Sequence, residues 1–118
     1  MRQGVLDHLT ESGVTFEIAT NLKAILPRAD VVYWTRVQKE RLKNPDQFVT
    51  LRDAFHIGME EMSLLKPEAF LMHPMPIVGE ISPDVDSHPQ AAYFEQADNG
   101  IYVRAALLLH IFGVSVPD

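Results

Sequence analysis

The spacing of apolar and polar residues in the first quarter of the chain predicts helix, strand and helix in turn. Apolar residues recur at helical spacing over residues 2–11, and the Ser-Gly pair that follows is a typical helix stop. Residues 14–19 (VTFEIA) alternate between apolar and polar, as a half-buried strand does. The pair Thr20-Asn21 then offers a cap for a short helix over residues 22–26, which Pro27 is predicted to end.

Two later segments are apolar without alternation, which is typical of strands covered on both faces. They are residues 31–34 (VVYW) and 69–72 (AFLM). Between them, residues 39–46 have a loop composition, and residues 53–65 predict a weaker helix or turn region. Strands that alternate with helices predict an α/β fold with a small, three-stranded parallel sheet and right-handed crossovers.

A long apolar helix is predicted at the C-terminal end of the chain. Residues 101–112 (IYVRAALLLHIF) are apolar on nearly every face, with Arg104 and His110 as the main polar interruptions. This composition predicts burial of most of the helix surface, either across the small sheet or against a second domain or another chain. The preceding residues 98–100 (DNG) are predicted to break and cap this helix.

Composition is typical of one folded domain in a reducing compartment. The 118 residues are 47% hydrophobic and 22% charged, with a net charge of −6 and no cysteine. The negative charge gives no electrostatic reason to expect nucleic acid or an anionic membrane as a partner. No apolar run reaches the roughly 20 residues that span a bilayer, so we expect a cytoplasmic protein.

The residues after the first buried strand are candidates for anion binding. If the chain stays extended beyond residue 34, Arg36 and Gln38 point to the same side, because side chains alternate along a strand. A guanidinium group matches a carboxylate or a phosphate, and a neighbouring amide can donate or accept a hydrogen bond. The alternative interpretation of Arg36 is a surface arginine paired with an acidic residue.

The second buried strand runs into HPMP, residues 73–76, in which two prolines flank one methionine. Proline fixes its own φ and disfavours the helical region for the preceding residue, so His73 and Met75 are predicted to be extended. The carbonyl groups of Pro74 and Met75 would then be rigid acceptors for a ligand. The alternative is a tight turn that simply ends the strand, and a cis bond between Met75 and Pro76 is compatible with both.

Metal and cofactor sites are not expected. The five histidines show no ligand spacing, and Asp84 and Asp86 lack the remaining residues of a calcium loop. We interpret these two aspartates as turn and cap residues.

Three motifs together resemble a known family. VVYWTRVQKER, LMHPMP and GEISPDVDSHPQAAYFEQADNGIYVRAALL, in this order and spacing, are similar to the C-terminal part of aspartate transcarbamoylases. The N-terminal 30 residues also resemble the helix, strand and helix that precede these motifs in that family. The resemblance implies that residues 1–118 form a truncated aspartate-binding domain, a partial three-layer Rossmann-like unit.

The resemblance also implies a role for each matched residue. Arg36 is similar to the arginine that binds the aspartate carboxylate, and Gln38 to the glutamine that orients this substrate. Met75 and Pro76 match residues that hold carbamoyl phosphate and the attacking amine through backbone carbonyls. Arg41 and the loop after it resemble a segment that closes over aspartate. The implied activity is carbamoyl transfer from carbamoyl phosphate to L-aspartate in pyrimidine biosynthesis.

Two departures from the family pattern qualify that implication. Ile77 stands where the family commonly has arginine, and nothing in the chain resembles the carbamoyl phosphate domain with its Ser-x-Arg-Thr loop. We therefore expect no catalytic residue here, no turnover by the isolated chain, and a need for a further protein chain or a homo-oligomer. The alternative is a non-catalytic binding or assembly module derived from that domain.

Overall fold

The computed structural model describes residues 3–38 and 55–114 of the chain. The predicted loop at 39–46, with Arg41, and the first residues of the region predicted at 53–65 lie outside these ranges. Short 3-10 helices span Leu26–Arg28 and Pro83–Ser87. The remaining elements, in chain order, are α1 (Gln3–Glu11), α2 (Leu22–Ile25), β1 (Val31–Tyr33), α3 (Met59–Met62), β2 (Phe70–Met72) and α4 (Tyr93–Ile111).

The sheet that the structure describes consists of β1 and β2, which pair in parallel. Val31 is the partner of Phe70 in this register, and each later residue of β1 pairs with the next residue of β2. On the other side of β2, Leu71 forms an isolated parallel bridge with Ala91. The α/β class and the small parallel sheet are therefore confirmed.

The strand predicted at 14–19 is wrong, because this segment has no regular secondary structure. Its apolar residues Val14, Phe16 and Ile18 are exposed rather than buried on one face. Alternation produces a strand when a neighbouring strand supplies hydrogen bonds and an apolar surface. No such neighbour pairs with this segment among the residues that the structure describes.

The two N-terminal helices are confirmed, and local capping chemistry explains their limits. The α1 helix is followed by Gly13 at φ +68°, a conformation that glycine adopts without steric cost. The side chain of Asn21 accepts a hydrogen bond of 3.3 Å from the backbone N–H of Ala24 at the start of α2. Pro27 does not end the helical region as predicted, since it lies in the first turn of a 3-10 helix.

The hydrophobic core joins β2 to segments on both sides of it in the chain. Leu71 at the centre of β2 is completely buried, and Tyr93 at the start of α4 is buried against it. Ile77 and Trp34 are half-buried residues that pack on this core. The buried members of the core are Ile57, Met62, Leu71, Ile81, Val85 and Tyr93.

The C-terminal helix differs from its prediction in two respects. It is one continuous helix of 19 residues, so residues 98–100 lie inside it and do not break it. Tyr93 is its buried residue, and residues 101–112 are exposed except for the half-buried Leu109. A helix of this length runs about 28 Å, whereas a strand of three residues runs about 10 Å. The described sheet is thus too short to cover the helix, so the predicted packing across the sheet is wrong. Burial against a second domain or another chain stays a prediction.

Among residues 3–38 and 55–114, no helix combines the length and apolarity that a membrane crossing requires.

Candidate functional site

The ends of the two paired strands bring the two predicted motifs to one edge of the sheet. Tyr33 and Met72 are register partners, and the N–H of Trp34 donates a hydrogen bond of 2.8 Å to the carbonyl of Met72. Arg36 and Met75 each lie three residues beyond these partners. Because parallel strands end at the same edge, TRVQ and HPMP leave the sheet side by side.

The HPMP segment has an unusual backbone. The bond between Met75 and Pro76 is cis, and Met75 has a φ of +37°. The predicted extended conformation of Met75 is therefore wrong. A residue with a side chain rarely adopts a positive φ, and this conformation persists only where surrounding contacts stabilise it.

Hydrogen bonds from His73 and Gln96 hold this segment. The ring Nδ1 of His73 accepts from the N–H of Met75 at 3.1 Å. The backbone N–H of His73 donates to Gln96 Oε1 at 3.0 Å. The amide Nε2 of Gln96 in turn donates to the hydroxyl of Tyr33 at 3.0 Å. The segment is thus tied to the end of β1 and to α4.

A second contact of His73 lies deeper in the protein. Its Nε2 atom is 2.8 Å from Oε1 of Glu80, and both side chains are almost wholly buried. The two atoms are close but not aligned as in a good hydrogen bond. The other carboxylate oxygen of Glu80 accepts from the N–H of Val78 at 3.0 Å.

A cavity of about 360 Å³ opens at this edge of the sheet. Its walls come from the end of β1, from HPMP and from one face of α4. This volume is in the range of small-molecule sites. The lining residues are Tyr33, His73, Pro74, Met75, Gln96, Ala97, Gly100 and Arg104.

The structure places the predicted site residues in two groups. Met75 lines the cavity and is 37% exposed. Pro76 is exposed beside it but is not a lining residue. Arg36 is exposed and Gln38 is half-buried, and neither contributes to the walls of this cavity.

Residues of α4 were missed by sequence reasoning. Gln96, Gly100 and Arg104 are spaced by four, so they lie on one face of the helix. Arg104 folds back over Gly100, where an added Cβ would lie 3.0 Å from its Nη1 atom. The four-residue spacing could have revealed this face, but the predicted break at 98–100 concealed it.

In the part of the chain that the structure describes, no group of three or more His, Asp or Glu side chains is arranged to hold a metal ion.

Comparison with known proteins identifies the family. Residues 2–111 match the family model described as aspartate/ornithine carbamoyltransferase, Asp/Orn binding domain. The chain is 43% identical over 117 residues to the aspartate carbamoyltransferase catalytic subunit of Bifidobacterium longum strain DJO10A, covering 98% of the chain and 36% of that protein. It is 42% identical over 112 residues to the multifunctional protein pyr1-3 of Dictyostelium discoideum, covering 95% of the chain and 5% of that protein.

Solved structures give the same answer. The catalytic subunit of M. jannaschii aspartate transcarbamoylase is similar at a TM-score of 0.82 and 34% identity, with 92% of this chain and 36% of that chain covered. Trypanosoma cruzi aspartate transcarbamoylase in complex with N-(phosphonacetyl)-L-aspartic acid matches at a TM-score of 0.79 and 34% identity, with the same coverage. The chain thus spans about a third of the length of these catalytic subunits. It belongs to the family of the aspartate/ornithine carbamoyltransferase Asp/Orn binding domain.

Proposed function

We propose that this chain supplies the aspartate-binding part of an aspartate carbamoyltransferase. In this reaction the amine of L-aspartate attacks the carbamoyl carbon of carbamoyl phosphate, a C–N bond forms, and phosphate leaves with the electrons of the broken C–O bond. The amine gives up a proton in the process. The product is carbamoyl aspartate, an intermediate of pyrimidine biosynthesis.

The observation that carries this proposal is the common edge of TRVQ and HPMP. Tyr33 and Met72 are paired, so Arg36 and Met75 follow from neighbouring strand ends. A substrate held at this edge could bind its carboxylate to the Arg36 guanidinium while its amine faces the backbone carbonyls of HPMP. Gln38 would orient the same substrate, and Met75 and Pro76 would contact the carbamoyl group.

The electrostatics of the edge agree with an anionic substrate. The chain carries a net charge of −6, so a dicarboxylate requires local cationic groups. Arg36 lies after β1, and Arg104 lines the cavity from α4. Catalysis in such a site would come from holding the two substrates in a reactive orientation rather than from a nucleophilic side chain.

The matched region does not include a phosphate-binding motif, so the remaining groups would come from outside it. Stabilisation of the developing oxyanion and of the leaving phosphate needs positively charged or N–H donors aimed at those oxygens. We propose that another part of a longer protein, or another chain, provides them. By itself, the chain of 118 residues would bind ligand without turnover.

A non-catalytic binding or assembly module is the second candidate, and Ile77 favours it. Ile77 directly follows HPMP and packs against the hydrophobic core as a half-buried residue. An apolar side chain there cannot form the charge contacts of the arginine that the family commonly has at this position. Loss of such a contact would weaken assembly with the catalytic partner.

Fragment complementation separates these two candidates. The purified chain is mixed with the separately expressed N-terminal part of the Bifidobacterium longum catalytic subunit, and carbamoyl aspartate formation is measured. We expect activity from the mixture and none from either part alone. Activity should fall by about a hundredfold or more with Arg36→Ala, because the substrate carboxylate loses its bidentate partner.

Arg28→Ala is the matched control, since Arg28 is an exposed arginine that forms an ion pair with Glu17 at 3.0 Å. This variant should retain the activity of the unmodified chain. A mixture that stays inactive, although the chain binds the N-terminal part, would support the non-catalytic module. Equal losses in both arginine variants would contradict the role proposed for Arg36.

A further inference from the structure

Two titratable side chains are buried at the HPMP segment, one within it and one just after it, and neither has a role in the reaction proposed above. His73 is 2% exposed and Glu80 is 3% exposed. Burial of a carboxylate or an imidazolium is costly unless specific partners compensate. The contacts of these two residues therefore show what the protein gains from them.

The contacts of the His73 ring define its protonation. Nδ1 accepts the hydrogen of the Met75 N–H, so this nitrogen carries no proton of its own. A neutral ring must then carry its proton on Nε2, the atom that lies 2.8 Å from Glu80 Oε1. This tautomer places an imidazole N–H next to the Glu80 carboxyl group, whereas a ring with a proton on both nitrogens could not accept from the Met75 N–H.

Glu80 requires both of its oxygens in this arrangement. Oε1 lies 2.8 Å from Nε2 of His73, while Oε2 accepts from the N–H of Val78 at 3.0 Å. An ionised carboxylate can accept at both positions, whereas an amide can accept at one and must donate at the other. The Glu80 side chain therefore contacts both ends of the segment between His73 and Val78.

The hydrogen bond to Met75 fixes a carbonyl as well. The Met75 N–H belongs to the same planar peptide group as the carbonyl of Pro74, and the cis bond in this segment is the next one along the chain. In a trans peptide the N–H and the C=O point in opposite directions. With the N–H directed at the buried ring, the Pro74 carbonyl points away from it. Pro74 and Met75 both line the cavity.

We infer that His73 is a positioning residue, which sets the peptide group between Pro74 and Met75 through Nδ1, and that Glu80 selects the tautomer that makes this possible. Gln96 supports the same segment through the N–H of His73. The geometric part of this inference stands on the contacts alone. Its effect on substrate rests on the proposed function.

Two substitutions of His73 distinguish the two ring nitrogens. His73→Asn keeps an acceptor near the position of Nδ1, and His73→Gln keeps a donor near the position of Nε2. Since the acceptor sets the peptide, His73→Asn should keep the Met75 amide protected from solvent exchange. His73→Gln should leave this amide to exchange about tenfold faster or more. Met75 is a direct reporter, because its two proline neighbours have no N–H.

Ring nitrogen NMR of the purified full chain tests the tautomer without any ligand. At neutral pH we expect a protonated Nε2 and an unprotonated Nδ1. The side chain introduced by Glu80→Gln has a single acceptor oxygen, so either His73 Nε2 or the Val78 N–H loses its acceptor. The ring tautomer should then change, or the Val78 amide should exchange faster with solvent. A doubly protonated ring, or a proton on Nδ1 in the unmodified chain, would overturn the inference.

The complementation assay tests the effect on substrate. We expect His73→Gln to lower kcat/KM for carbamoyl phosphate by about tenfold to a hundredfold. His73→Asn should keep most of the kcat/KM of the unmodified chain. Equal activities of the two variants would overturn the link to substrate. If the unmodified mixture is inactive, the proposed function fails, while the exchange and tautomer measurements still decide the geometric inference.

Discussion

The hydroxyl of Tyr93 donates a hydrogen bond of 2.5 Å to the carboxylate of Asp86. This contact joins the first residue of α4 to the 3-10 helix Pro83–Ser87. The Tyr93 side chain is wholly buried in the core, while Asp86 is exposed. Burial raises the pKa of the Tyr93 phenol above its usual 10.0, and the hydrogen bond to Asp86 raises it further. Tyr93 therefore stays a donor at physiological pH.

Removal of this hydroxyl should destabilise the protein modestly. We expect Tyr93→Phe to lower the free energy of unfolding by about 1 kcal/mol, the usual net value of one hydrogen bond. Urea denaturation followed by circular dichroism measures the change. Tyr102→Phe is the control on the same helix, since Tyr102 is exposed and should be neutral. Equal effects at the two tyrosines would argue against a stabilising role for the Asp86 contact.

The centre of β2 should be much more sensitive. Leu71 is completely buried in the core. We expect Leu71→Ala to lower the free energy of unfolding by about 2–5 kcal/mol, because it removes apolar contacts and leaves a cavity. Leu107→Ala on the exposed part of α4 should change it by less than about 0.5 kcal/mol. A small effect at Leu71 would contradict the core described here.

The start of α3 should contribute to the pH dependence of stability. Burial tends to raise the pKa of Glu61. Hydrogen bonds from the N–H of Gly58, at 3.0 Å, and from its own N–H, with Lys23 nearby, outweigh this effect and hold the pKa below its usual 4.5. A pKa that is lower in the folded state stabilises the protein above the unfolded value, so this contribution is lost as the pH falls below about 4.5.

Glu61→Gln should remove that contribution. Compared with the unmodified chain, the variant should lose less stability when the pH is lowered through the acid range, as measured by urea titrations at several pH values. Glu68→Gln, at an exposed position, is the control. The interpretation is wrong if both variants keep the full acid dependence of the unmodified chain.

The exposed part of α4 should promote association of the purified chain. Ile101, Leu107, Leu108 and Ile111 are all more than half exposed, and an uncovered apolar surface favours contact with another protein surface. We expect a concentration-dependent increase of the sedimentation coefficient in the micromolar range. Leu107→Glu combined with Leu108→Glu should shift the equilibrium towards monomer.

Ile18→Glu is the control for this surface, since Ile18 is also exposed but lies far from α4 in the sequence. It should leave the association unchanged. A clean monomer of the unmodified chain at micromolar concentration would contradict the prediction.

The sequence predicted elements that depend on local patterns. Four elements were predicted correctly because caps and periodicity act over a few residues. The signals were the apolar spacing in α1, the Asn21 cap of α2 and the uninterrupted apolar residues of β1 and β2. The segment 14–19 failed because a strand depends on a pairing partner that its own alternation cannot reveal.

The candidate site was predictable to a smaller extent. HPMP stood out because of its prolines, but the positive φ of Met75 was not predicted, and the segment is held in part by Gln96 of the distant helix α4, which accepts from the N–H of His73. The contact between His73 and Glu80 forms only when the chain between them folds back, and no periodic pattern in the sequence predicts this contact. The roles of Arg36 and Gln38 in binding aspartate remain predictions from the family resemblance.

The parallel pairing of β1 with β2 has a consequence for the order of folding. The paired residues Val31 and Phe70 lie about 39 positions apart along the chain, and closing a loop of that length costs about 3 kcal/mol of chain entropy. Local helices such as α1 form without this cost, whereas the sheet forms only after β1 and β2 have come together. We therefore expect the edge that carries TRVQ and HPMP to form after the local helices during refolding.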